Sequence, residues 1–139
     1  MAAAGYSGTP LVRKLGLRAG MRVRLLDEPA DYWEMLDASP EELGVQLQSG
    51  DGPAPFTHLF ATTRHRLHEL FAVARRGTTD DGMVWASWPK KSSGLESEVT
   101  RAEVMEEGHA VGLVDVKVAA IDEVWSGLKF VVRVADRIS

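Results

Sequence analysis

The chain has 139 residues, enough for one hydrophobic core and too few for two ordinary domains, so a single α/β domain over residues 1–139 is expected. Its 20 acidic and 16 basic residues leave a formal net charge of −4, and the Arg and Lys are dispersed, which argues against nucleic acid as a partner. The absence of Cys excludes disulfides, a thiolate nucleophile and Cys-based zinc sites, the absence of Asn excludes N-glycosylation, and no apolar run reaches membrane-spanning length.

These features suit a cytoplasmic protein with no membrane partner, and the abundant Ala with Arg exceeding Lys is a composition common in GC-rich bacteria. Thr9-Pro10 reads as a helix start, the hydroxyl capping free amides and Pro taking the first helical position; Leu11, Val12 and Leu15 share one face before Gly16 ends the helix. Met21 to Leu26 is an apolar strand. Asp27-Glu28-Pro29 then opens a second helix carrying Tyr32, Trp33 and Leu36, which Ser39-Pro40 closes.

Val45 to Gln48 is a short strand, and Ser49 to Pro55 is a turn-rich loop. Phe56 to Thr62 reads as a buried strand. Thr63 caps the best helix of the chain, with Leu67, Leu70, Phe71 and Ala74 at amphipathic spacing and Arg75 and Arg76 complementing the dipole before Gly77. Gly82 to Trp88 is a further strand, followed by the irregular Pro89 to Gly94. Thr100-Arg101-Ala102-Glu103 is a capping box that starts a helix running to about Val111, stopped by Gly112. The tail alternates, with Val114, Val116 and Val118 opposed to Asp115 and Lys117, then Ser126-Gly127, then Leu128, Phe130, Val132 and Val134. It predicts an antiparallel hairpin with Trp125-Ser126-Gly127 at its turn.

Strand-helix alternation followed by a hairpin implies a three-layer Rossmann-like α/β fold, a mainly parallel sheet with helices on both faces and a C-terminal antiparallel hairpin. Ligands of such sheets bind beyond the carboxyl ends of the parallel strands. That places Asp27 to Asp31, Thr62 to Arg64, Trp88 to Gly94 and the Trp125 turn along one edge.

The progression Ala19-Gly20-Met21-Arg22-Val23, Asp81-Gly82-Met83-Val84-Trp85 and the closing hairpin resembles a shortened, degenerate class I S-adenosylmethionine-dependent methyltransferase. Gly5-Tyr6-Ser7-Gly8-Thr9-Pro10, Trp88-Pro89-Lys90-Lys91 with Gly94, and Trp125-Ser126-Gly127-Leu128 also resemble a bacterial family defined as a domain of unknown function. The methyltransferase resemblance implies S-adenosylmethionine as cofactor, bound at a Gly-rich turn after the first strand and by an acid after the second. Here no Gly occurs between Met21 and Leu43, the turn reads Asp27-Glu28-Pro29, and Asp51 is the one nearby acid. The expectation is that no cofactor is retained.

Lys90, Lys91, Ser92 and Ser93 can grip an anion at a sheet edge or form a solvated loop. Asp27 and Glu28 can be paired carboxylates, although helix capping explains them more simply. His65 and His68 at i, i+3 spacing, with His58 on the preceding strand, suggest a metal site only weakly. Trp85, Trp88 and Trp125 are pocket walls or core. No serine sits in a nucleophile elbow. The leading expectation is a non-catalytic module binding an anionic small molecule or a protein partner through Lys90, Lys91, Trp88, Ser92, Trp125 and Ser126, with Asp27 and Glu28 beside them. The alternatives are a divergent methyltransferase or other small α/β enzyme using Asp27 or Glu28 opposite Lys90, and a structural protein that dimerises through its terminal hairpin.

Overall fold

A computed structural model describes residues 10–50 and 52–137; the Gly5–Thr9 motif, the Thr9 cap and Asp51 lie outside the described residues. The strands are β1 (Arg22–Leu26), β2 (Gln46–Leu47), β3 (Ala54–Phe60), β4 (Thr78–Pro89), β5 (Leu113–Ala120) and β6 (Trp125–Val132). They form one sheet in the order β2-β1-β3-β4-β6-β5, parallel from β2 through β4 and antiparallel at the β4-β6 and β6-β5 pairings. The helices are α1 (Leu11–Leu15), α2 (Tyr32–Leu36), α3 (Pro40–Leu43), α4 (Arg64–Gly77) and α5 (Arg101–Ala110).

Two cores flank the sheet because successive side chains of a strand point to opposite faces. Leu59, Val84, Ala86, Phe130 and Val132 pack with Leu67, Leu70, Phe71 and Ala74 of α4 and Val104 of α5. On the other face Val23, Phe56, Phe60 and Trp85 pack with Leu15 of α1 and with Tyr32 and Leu36 of α2. Trp85 is fully buried and its indole N–H donates to the Leu15 carbonyl at 2.9 Å, so this ring is core and anchors α1.

Several local signals resolve differently from the sequence expectation. Helix α1 starts at Leu11, one residue after Pro10, whose carbonyl accepts the first helical bonds from Arg13 and Lys14. Ser39-Pro40 opens α3: the Ser39 hydroxyl accepts from the Glu42 N–H at 3.1 Å while Glu42 accepts from the Ser39 N–H at 2.9 Å. Ser126 and Gly127 are strand residues opposite Trp88 and Ser87. The turn is made upstream, where the Asp122 carboxylate accepts from the N–H groups of Val124 and Trp125. Gly127 serves close packing, since a Cβ there would meet Ile121 Cδ1 at 2.7 Å. Strand β6 inserts between β4 and β5, so the hairpin joins the sheet through its second strand. On β5 a bulge between Asp115 and Lys117 breaks the alternation read from the sequence, and Val116 and Val118 are exposed.

Polar groups inside the sheet are satisfied. Arg24, only 3% exposed, donates to the carbonyls of Gly77 at 2.7 Å and Gly50 at 3.2 Å, and also to that of Gly52; it ties β1 to the end of α4 and to the loop after β2. His58 on β3 lies between the Tyr32 hydroxyl, 2.9 Å from Nδ1, and the Ser87 hydroxyl, 2.8 Å from Nε2, and stacks on Phe60. Burial pulls the His58 imidazole down to a pKa of about 3 and pushes the Tyr32 phenol upward.

Two predictions follow from this packing. In α5, a Cβ on Gly108 would meet the buried Phe130 ring at 2.2 Å. Overpacking costs about 1–3 kcal/mol whereas helix propensity favours Ala by about 1 kcal/mol, so Gly108→Ala should show a net loss of stability in urea denaturation. His58 titrates near 6.5 in the unfolded chain and near 3 in the folded one. Its contribution is therefore complete above pH 6.5 and is lost as pH falls toward 3, with a slope of at most about 1.4 kcal/mol per pH unit. The lowered carboxylates of Asp27, Glu103 and Asp115 add their own losses only nearer their ordinary range. Urea unfolding free energies between pH 7 and 5 should fall in the native chain and fall less steeply in His58→Met.

Candidate functional site

The chain leaves β1 toward β2 through α2 and α3 and leaves β3 toward β4 through α4, so connections diverge on either side of the β1-β3 pair. This is the switch in strand order where open α/β sheets have room for a ligand. A crevice of about 440 Å³ lies there, lined by Asp27 from the end of β1, Phe60, Thr62 and Thr63 from the end of β3, Arg66 from the first turn of α4, and Trp125 from the start of β6. Trp125, half-buried, meets Phe60 edge-to-face with ring centroids 5.0 Å apart and supplies the apolar wall.

Asp27 does not cap α2, as the sequence suggested. It adopts a left-handed conformation with φ of 57°, one of two such non-glycine residues among the described residues, and turns its carboxylate across the crevice to α4. There Arg66 donates from Nε to Oδ2 at 2.6 Å and from Nη2 to Oδ1 at 2.8 Å, a planar two-point pairing. Arg66 also donates to Glu69 at 3.1 Å. The Arg66 hydrogen bonds hold the Asp27 carboxyl below the usual range. Both side chains remain well exposed, at 36% and 47%, so the pair contributes at most about 1 kcal/mol to stability. What it does is occupy the crevice with fixed charge.

The start of α4 carries Arg64, His65 and Arg66 in succession, where the helix dipole disfavours cations. The protein answers with its own carboxylates. Glu98 Oε1 accepts the Arg64 backbone N–H at 3.0 Å, the Glu98 N–H donates to the Thr62 carbonyl at 2.8 Å, and Asp27 takes the Arg66 side chain. The Thr63 hydroxyl accepts the Arg66 N–H at 3.2 Å as the expected cap.

Of the residues singled out in the sequence, Asp27, Thr62, Thr63, His65 and Trp125 line this crevice and Glu28 stands exposed beside Asp27. Lys90, Lys91 and Ser92 lie on the same strand-end edge, after β4. The Lys90 N–H donates to the Val124 carbonyl at 2.7 Å, while Lys91 and Ser92 are exposed on a single 3₁₀ turn capped by the Ser93 hydroxyl on the Lys90 carbonyl. Trp88 is not part of the edge surface: it is 8% exposed and packs in the α4-α5 core. Ser126 is half-buried within the sheet pairing. His58 is core, whereas His65 and His68 are exposed on α4; among the described residues no group of His and acidic side chains is arranged to hold a metal. Arg66 escaped the sequence reading, which places Thr62 and Thr63 on this edge and Thr63 as the helix cap. The signal available was the run of basic residues in the first turn of a helix, which demands acidic partners from elsewhere.

A methyl-donor cofactor would have to lie against the β1-α2 turn. That turn has no glycine, its first residue is committed to Arg66, and Glu28 and Asp31 follow it exposed, so the residues present do not fit the group.

No family model matches the chain, and no curated protein matches it by sequence. Solved structures do match. A putative type 11 methyltransferase from Sulfolobus solfataricus superposes with a TM-score of 0.60 at 14% identity, over 98% of this chain and 95% of that one. Magnesium protoporphyrin IX methyltransferase from Synechocystis gives 0.57 at 8% identity, over 88% and 78%, and a ribosomal protein L11 methylase from Lactobacillus delbrueckii gives 0.55 at 11%, over 86% and 73%. Identities this low establish the architecture alone: the chain has the fold of the class I S-adenosylmethionine-dependent methyltransferases.

Proposed function

We propose that the chain is a non-catalytic binding module that uses the strand-end edge of a methyltransferase fold to hold a small anionic molecule. The observation carrying this reading is the two-point Asp27–Arg66 pair, which spans the crevice between β1 and α4 where a cofactor-using relative needs open backbone. The crevice keeps an apolar wall in Phe60 and Trp125, and two free-standing cations, Lys90 and Lys91, rise from the neighbouring strand end. Long-range attraction from that lysine pair raises the local concentration of an anion without needing a defined contact.

A divergent methyltransferase is the reading favoured by the fold likeness, and calorimetry separates the two. At about a hundred times its Kd a bound ligand adds about 2.7 kcal/mol to stability. S-adenosylmethionine and its demethylated product should give neither heat nor a rise in melting temperature; a saturable shift with either overturns the module. Lys90→Ala/Lys91→Ala should weaken binding of small aromatic carboxylates several-fold, with a slope against salt shallower than in the native chain. Its melting temperature should change by a few degrees at most, since Lys91 is exposed and half-buried Lys90 caps the 3₁₀ turn without a side-chain hydrogen bond. A large fall in melting temperature would instead assign the loop a structural role.

A further inference from the structure

We infer that the crevice recognises a carboxylate attached to a flat apolar body, and that such a ligand binds by taking the place of Asp27 on Arg66. This deepens, and rests on, the binding-module reading. The guanidinium of Arg66 presents two parallel N–H groups, already in register with a carboxylate at 2.6 and 2.8 Å, and Arg66 is one of the residues that line the crevice. A ligand carboxylate reproduces that geometry atom for atom. Asp27 is released easily because its side chain is 36% exposed and hydrates once freed. Its left-handed backbone aims it at Arg66 in the absence of ligand, so it is an internal competitor that keeps the cation neutralised.

Two observations restrict the ligand further. Asp27 and Glu69 both hold Arg66, Glu69 at 3.1 Å, while Glu28 follows Asp27 in the chain and Glu98 holds the Arg64 N–H at 3.0 Å. These acids penalise a doubly charged phosphate far more than a singly charged carboxylate. The crevice also has an aromatic wall, Phe60 and Trp125 edge-to-face, against which a planar body can pack. The ligand adds its own negative charge while the freed Asp27 stays beside the crevice, where exposure to water screens the repulsion between the two carboxylates, and no covalent bond is made or broken.

The test is isothermal titration with 1-naphthoate, its neutral amide 1-naphthamide and inorganic phosphate, on the native chain and on Asp27→Asn, Arg66→Lys and Lys90→Ala/Lys91→Ala. Asn tolerates the left-handed backbone at position 27, and residue 66 is exposed, so these variants should fold; retention of the native circular dichroism and melting cooperativity checks that they have. Removing the competitor charge in Asp27→Asn should tighten naphthoate about tenfold, and Arg66→Lys, which cannot make the two-point pair, should weaken it about tenfold or more. Naphthamide and phosphate should not bind measurably. Equal or weaker naphthoate binding by Asp27→Asn overturns the exchange, as does absence of naphthoate binding to every variant. Loss in the double-lysine variant combined with indifference to Arg66→Lys moves the anion to the β4 loop, which refutes the exchange while sparing the module. Competition of naphthoate by S-adenosylmethionine refutes the module itself.

Discussion

Strand β3 lies between β1 and β4, buried on both faces, and the rest of the molecule is hung from it. Its alternate side chains enter both cores: Leu59 toward α4 and α5, Phe56, His58 and Phe60 toward α1 and α2. Because β1 and β3 run parallel and each needs a crossover, and because those crossovers depart in opposite directions, the carboxyl ends of the two strands are left with nothing packed between them. The crevice is a consequence of topology, and its lining is whatever the chain puts in the residues just after each strand. His58 fixes that geometry from below, linking α2 to β4 through two hydroxyls 2.9 and 2.8 Å from its ring nitrogens.

At that gap the fold and the residues point in different directions. The architecture is shared with methyltransferases that differ from this chain at more than eight positions in ten. At the β1-α2 turn an aspartate at φ 57° stands where the methyltransferase resemblance implies glycine, and it reaches across to an arginine on α4. Net stabilisation by the exposed pair is small, so its presence is better accounted for by what it does to the charge and width of the crevice than by folding energy.

The fold was legible in the chain because its strongest signals are local. The amphipathic α4 with its Thr63 cap and the Thr100–Glu103 pairing at the start of α5 stand where periodicity and capping chemistry put them, Glu103 accepting the Thr100 N–H at 2.7 Å. The apolar strands are present with shifted ends, β3 running Ala54–Phe60 against Phe56 to Thr62 and β4 starting at Thr78 against Gly82. Elements whose identity depends on distant partners were misread. Ser126-Gly127 has the composition of a turn, but β4 and Ile121 demand a strand with a small residue there. Ser39-Pro40 is the exception, misread although local: Ser39 and Glu42, three residues apart, form a capping box that marks a helix start. Trp88 and Trp125 are alike in sequence, yet one faces the α4-α5 core and the other the crevice, because Trp125 pairs with Pro89, one position beyond Trp88, and successive positions point to opposite faces of the sheet. The Asp27–Arg66 pairing spans 39 residues and left only an indirect trace, a basic first turn that needed acids from outside its own helix.

The central claim is that Asp27 and Arg66 close the cofactor crevice to the methyl donor in solution. The direct measurement is the two-dimensional ¹H–¹⁵N spectrum of the uniformly labelled chain, following the Arg66 side-chain Nε–H and the amides of residues 26–30 and 60–63 as S-adenosylmethionine is added. A slowly exchanging, downfield Nε–H signal that stays in place throughout, together with unmoved amides, is the predicted result. Saturable movement of those amides with broadening or loss of the Nε–H signal would mean that the pair opens for the cofactor, and would contradict the account.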